Sequence, residues 1–172
     1  MSDQIFVHTQ VPTPEDCVFK ISPSQIANFF DYPVNWYKSE ILNESQFDGN
    51  TASVLGTAVH YIAEQYALSI INDIPLDTDA LKEQIESQLD ELSNPDVDIE
   101  EVKSSYVDMA TELINGYVSR NLPTHVESQL CQPVQDNIYV AGSNDAYDER
   151  TGTVVDYKTT GKKPSATMPF NY

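Results

Sequence analysis

Ala141-Gly142-Ser143-Asn144-Asp145 and Thr153-Val154-Val155-Asp156-Tyr157-Lys158 read as two β-strands joined by a tight turn over residues 149–152. Side chains two apart on a strand share a face, so Asp156 and Lys158 project together. Pairing through the short turn sets Asp145 opposite Asp156. Two carboxylates and an ammonium then converge, a combination that suits a divalent cation and a phosphodiester. A strand ending in Asp-Tyr-Lys is also what a solvated sheet edge looks like, because such short motifs recur by chance. The rest of the chain has to decide between the two.

With 172 residues, 40% of them hydrophobic, the chain is long enough for one domain around a single core. The start at Met1 carries no basic, apolar leader, and no apolar run approaches the roughly 20 residues that span a bilayer. Cys17 and Cys131 are isolated and fit no zinc or disulfide spacing. The expectation is a reducing, cytoplasmic setting with no membrane partner.

A formal charge of −18 sits awkwardly with nucleic-acid binding, since phosphate backbones attract basic surfaces. The acids, however, crowd residues 73–101, on what read as the outer faces of helices. Arg150, Lys158, Lys162 and Lys163 gather instead around the hairpin.

Residues 1–20 read as an extended lead-in, with Pro12 and Pro14 discouraging a helix. Ser22-Pro23-Ser24 is a helix start, Ser22 capping and Pro23 suiting the first turn. That helix is expected to turn Ile26, Phe29 and Phe30 inward and to break near Pro33. A second segment over 34–42 carries Trp36, Tyr37 and Ile41 as core. The pattern Val54, Leu55, Ala58, Val59, Ile62, Tyr66, Ile70 predicts an amphipathic helix over 53–72. Helices over 78–92 and from 99 to about 121 follow, the last with Val102, Tyr106, Met109, Leu113 and Tyr117 inward. After Pro123 the texture becomes alternating and β-branched, predicting three strands at 125–134, 137–148 and 153–158. The tail from 161 to 172 reads as irregular.

Gly56-Thr57-Ala58-Val59-His60 opens the long helix. His60 lies beside Gly56, Ala63 and Ala67 rather than on the Leu55–Val59–Ile62 stripe. A lone helix histidine is commonly structural; Glu64, one turn on, could orient it as an outer-shell carboxylate or be a surface acid.

Taken in order, residues 21–26 (Ile-Ser-Pro-Ser-Gln-Ile), Gly56 to His60, Glu127, Gly142 to Asp145 and Asp156-Tyr157-Lys158-Thr159 resemble the RecB-type branch of the PD-(D/E)XK nuclease superfamily. That branch includes the nuclease domains of RecB and AddAB proteins, CRISPR-associated exonucleases and many phage exonucleases. The resemblance implies a restriction-endonuclease-like α/β core, helical at the front and closed by a mixed β-sheet, over residues 21–172. It implies that His60, Asp145 and Asp156 hold Mg²⁺ or Mn²⁺ with the Tyr157 carbonyl, that Lys158 is the catalytic lysine, and that Glu127 is the upstream strand glutamate. Lys158, Lys162 and Lys163 would meet the nucleic acid. The implied activity is metal-dependent hydrolysis of single- or double-stranded DNA, exonucleolytic by analogy, in recombination, repair or phage DNA metabolism. Partner recombination or helicase proteins come with the same resemblance.

Three departures qualify it. Ala146 stands where an arginine commonly follows the aspartate. Tyr32 stands before Pro33 where iron–sulfur members carry a cysteine, so no cluster is expected. The family continues into a helix bearing a glutamine, whereas this chain ends at Tyr172, so a C-terminally truncated domain with one sheet face short of cover is expected. Two other readings stay open: a catalytically weak subunit acting in DNA binding or assembly, and an acidic DNA mimic motivated by the charge alone.

Overall fold

The computed structural model describes residues 4–6, 11–42 and 49–159. Part of the lead-in, and the whole tail with Lys162 and Lys163, lie outside the described residues. In chain order the elements are β1 (Phe19–Ile21), α1 (Pro23–Asp31), α2 (Pro33–Glu40), α3 (Thr51–Ile71), α4 (Thr78–Glu91), α5 (Ile99–Leu113), a π-helical stretch (Ile114–Val118), β2 (His125–Gln135), β3 (Ile138–Asp148) and β4 (Thr153–Val155). The expected α/β class holds: helices accompany a mixed sheet.

That sheet has four strands rather than three. The added one, β1, runs parallel to β3 with Phe19, Lys20 and Ile21 across from Ile138, Tyr139 and Val140. Three residues flanked by prolines in the lead-in carry too little alternation to be singled out as a strand. β2 flanks β3, and β4 pairs antiparallel to β3 with Ala146 across from Val155 and Asp148 across from Thr153. The ladder stops there: β4 ends at Val155, short of the expected strand over 153–158, so Asp156, Tyr157 and Lys158 follow the strand rather than lie in it.

The chain divides into two compact units. One holds α3, α4, α5, the π-helical stretch, the start of β2, the end of β3, and β4. Its helices begin on side-chain caps. Asn50 accepts from Ser53 N at 3.0 Å, Asp77 from Ala80 N at 3.0 Å and Asp98 from Glu101 N at 3.0 Å. A cap of this kind is worth about 1 kcal/mol. Two of the many acids thus do local structural work.

Helix α3 buries two faces. Val54, Ala58 and Val59 pack with Leu81, Ile85 and Leu89 of α4 and with Val102, Tyr106 and Ala110 of α5. A second cluster joins Ala63 and Ala67 of α3 to Val118, Ala146 and Tyr157. Alanine on that second face removes the bulk that would hold the strands away. The expected helix from 99 to about 121 is α-helical only to Leu113, then π-helical to Val118. Asn115-Gly116, both poor helix formers, sit inside the wider turn.

The other unit holds β1, α1, α2, the end of β2 and the start of β3. Ser22 and Gln25 form the full reciprocal capping box, with Pro23 in the first turn. Tyr32 closes α1 by donating to Asn28 O at 2.8 Å and is also the residue before Pro33, where α2 begins. The expected inward faces are corrected here. Ile26, Phe29, Tyr37 and Ile41 are exposed, and Phe30 is 75% exposed. Trp36 is half-buried, edge-on to Phe29 at 5.0 Å and to Phe19 at 6.4 Å. Two helices of 9 and 8 residues, broken by Pro33, carry apolar periodicity but enclose no deep core of their own. Among the described residues no helix is long and apolar enough to cross a membrane. Cys17 and Cys131 are both free thiols.

Two expectations test this packing. A Cβ at Gly56 would stand 2.8 Å from Thr159 Oγ1. Gly56→Ala therefore withholds the gain of about 1 kcal/mol that a helix interior normally returns for this change. The same substitution in a Thr159→Ala background recovers it, and a double-mutant cycle by urea denaturation measures the coupling. Burial first, then the Glu86 charge and hydrogen bond, push the Tyr106 phenol up to about 12. Burial first, then Asp145 and Tyr117, push Tyr157 up to about 12 as well. Folded values above the ordinary value of 10.0 mean that this stability is complete below pH 10 and falls as pH rises towards 12. Denaturation midpoints measured across that window should drop, and Tyr106→Phe should flatten part of the fall while losing at most about 1 kcal/mol at neutral pH.

Candidate active site

Every candidate residue inside the described region belongs to the α3-containing unit. His60 sits on α3 on the side of the buried Ala63 and Ala67. Its Nδ1 lies 3.6 Å from Asp145 Oδ1, and the two side chains are 25% and 17% exposed. Asp145 Oδ2 accepts a hydrogen bond from the Tyr157 amide. The Tyr157 ring stands edge-on to His60 at 5.8 Å and to Tyr117 at 6.2 Å. Its side chain is thus a wall of the site, a part the sequence reading did not assign to it.

Among the described residues two buried polar side-chain atoms have no hydrogen-bond partner: His60 Nε2 and Asn144 Oδ1. Buried groups of this kind are normally satisfied, and the exceptions cluster where a ligand or ion belongs. Asn144 entered the sequence reading only as a spacer before Asp145. Its adjacency to a candidate ligand on a strand was the one available signal.

Glu127 faces the same groups. Desolvation first, then the negative charge of Asp145, raise its carboxyl above the usual glutamate value, with His60 pulling the other way. The residue as a whole stays exposed, so water screens part of that effect. Its backbone is in the left-handed region, φ +44°, inside a strand. Such a conformation costs about 1–3 kcal/mol and is found where surrounding structure over-determines it, commonly at functional sites. No sequence signal marks it.

Asp156 and Lys158 form a separate pair. Lys158 Nζ lies 2.9 Å from Asp156 Oδ1 and 2.8 Å from Oδ2, with side chains 77% and 61% exposed for the lysine and the aspartate. The two lie in the segment after β4 rather than on a strand face, and turn to each other. Among the described residues no group of three His, Cys, Asp or Glu side chains gathers closely enough to hold a cation in this arrangement. The structure therefore brings His60, Asp145 and Tyr157 together with Glu127 alongside, and leaves Asp156 engaged with Lys158. The donor types suit a hard or borderline divalent cation, carboxylate and imidazole both being acceptable, and the unpartnered His60 Nε2 is consistent with one.

No curated protein and no solved structure matches the chain significantly. A family model does, over residues 20–169, which takes in the front helix, the histidine helix, the hairpin and the Asp-Tyr-Lys segment. With that model covering most of its length, the chain belongs to the PD-(D/E)XK nuclease superfamily.

Proposed function

We propose that the protein is a metal-dependent deoxyribonuclease of the RecB-type branch, an exonuclease acting in DNA recombination, repair or phage DNA metabolism. Superfamily members are generally nucleases and typically use divalent metals such as Mg²⁺. The observation that carries the reading is the His60–Asp145 pair, with one aspartate oxygen held by the Tyr157 amide and the outer imidazole nitrogen buried without a partner.

His60 and Asp145, with Asp156 and the Tyr157 carbonyl, would hold Mg²⁺ or Mn²⁺, which when bound supplies Lewis acidity at a phosphoryl oxygen. The Tyr157 amide fixes the Asp145 carboxylate so that it does not have to be ordered during reaction. The Tyr157 ring covers His60 from one side and keeps water from it. Lys158, exposed beside Asp156, meets the phosphodiester and neutralises negative charge developing on its oxygens. Glu127, whose proton is held more tightly than usual, orients or deprotonates a water near Asp145. Lys162 and Lys163 extend the contact with DNA. A partner recombination or helicase protein belongs to the same proposal, by analogy with the branch.

A catalytically weak DNA-binding subunit is the second reading. The Asp156–Lys158 pair favours it, because it takes the second aspartate away from His60 and Asp145.

Cleavage of end-labelled single- and double-stranded DNA with Mg²⁺, Mn²⁺ or EDTA separates the two. The nuclease reading expects product with metal and none with EDTA. Lys158→Ala and Asp156→Ala should each lower the rate about a hundredfold or more. Both side chains are exposed, so denaturation midpoints should move little, within about 0.5 kcal/mol. Full activity in either variant would sink the assignment. His60→Ala should raise the metal concentration for half-maximal rate about tenfold or more, the scale seen when even an outer partner of a ligand is removed. An unchanged metal titration would make the histidine structural.

A further inference from the structure

The chain has only two arginines, Arg120 and Arg150, and both line one cavity of about 430 Å³. The cavity is in the α3-containing unit, between the end of the π-helical stretch and the β3–β4 hairpin. Tyr117, Asn121, Thr151 and Thr153 contribute to its walls. Nothing in the proposed hydrolytic chemistry uses it.

Arg150 is held in place. Its Nε donates to Asp148 Oδ1 at 2.7 Å and its Nη2 to the Leu122 carbonyl at 2.7 Å. A guanidinium has five N–H donors, so three are left over for an acceptor in the cavity. Asp148 is the acid of the lining, and it is already neutralised by this arginine. Arg120 makes no side-chain hydrogen bond or ion pair among the described residues. The lining therefore carries a surplus of positive charge on a chain of net charge −18.

We propose that this groove is an anion subsite for a backbone phosphate of the nucleic-acid strand, outside the hydrolytic centre. Guanidinium forks match phosphate oxygens two at a time. The volume falls within the range of small-ligand sites and admits a phosphate with its sugar. Tyr117, in the π-helical stretch, offers an aromatic wall on which a base can stack. Short π-helical turns recur at functional sites because they set side chains at angles an α-helix does not allow. One side of the groove leads towards the candidate site. Val155 of its lining precedes Asp156 in the chain, and the Tyr117 ring is 6.2 Å from that of Tyr157. A strand with a phosphate in the groove could continue past Tyr117 and Val155 towards Asp145 and Lys158. The inference rests on the reading of that site as one that handles DNA.

The test is fluorescence anisotropy of a labelled single-stranded oligonucleotide with the full chain, in Ca²⁺, over a salt series. Arg120→Gln is the main variant because the Arg120 side chain makes no hydrogen bond or ion pair among the described residues, and its melting curve should match the native one. Affinity is expected to fall about tenfold, and the slope of log K against log salt to shrink by about one. Arg120→Lys should restore the slope but only part of the affinity, since a point charge replaces a fork. Arg150→Gln should act in the same direction, with a lower melting point from the freed Asp148. Native affinity and slope in Arg120→Gln, or no binding of DNA by the native chain, would overturn the proposal. Loss of slope in a protein that cleaves nothing in any metal would keep the groove and remove the hydrolytic reading. Cleavage with native KM and native slope in Arg120→Gln would do the reverse.

Discussion

The hydrogen bond from the Tyr157 amide to Asp145 Oδ2 ties the segment after β4 to β3 beyond their last ladder pair. It also orients the carboxylate that faces His60. For this bond to form, the strands must lie close to α3, and they do so because α3 presents Gly56, Ala63 and Ala67 on that side. A leucine at Ala63 or Ala67 would fill the space that Tyr157 and Ala146 now occupy, and overpacking of this kind costs about 1–3 kcal/mol. The same small-residue face thus makes a core and sets the distance across which the candidate site operates. Packing and chemistry are not separable here.

Much of this was legible in the chain, for identifiable reasons. The cap at Ser22 and the break at Pro33 are local chemistry, and local chemistry survives folding. The hairpin followed from a four-residue turn, which fixes register and sets Ala146 across from Val155, next to Asp145 and Asp156 in the chain. Other features depended on tertiary context. The apolar residues of α1 and α2 have helical periodicity, but periodicity says which side is apolar and not whether anything covers it. The strand Phe19–Ile21 exists only because β3 offers it an edge. Positive φ at Glu127, the partnerless Nε2 of His60 and the Asp156–Lys158 pairing are consequences of how distant elements meet, and no spacing rule foretells them.

The charge of −18 looked like an argument against handling DNA, and the structure shows why its weight is limited. Asp77 and Asp98 are caps, and Asp90 is paired with Lys103 at 2.6 Å on the helical surface. Beyond a Debye length, roughly 8 Å at physiological salt, the remaining acids are largely screened. What a phosphate meets at contact distance is then decided by the nearest few groups. Lys158 already shares its charge with Asp156, and Arg150 with Asp148. In both places the base and the acid that offsets it lie two residues apart. Anything that engages Asp156, a divalent cation included, frees the charge of Lys158 at that spot. On the proposed function, affinity for phosphate would be coupled to occupancy of these carboxylates, so that an acidic protein would hold a DNA strand where the cation is bound and repel it elsewhere.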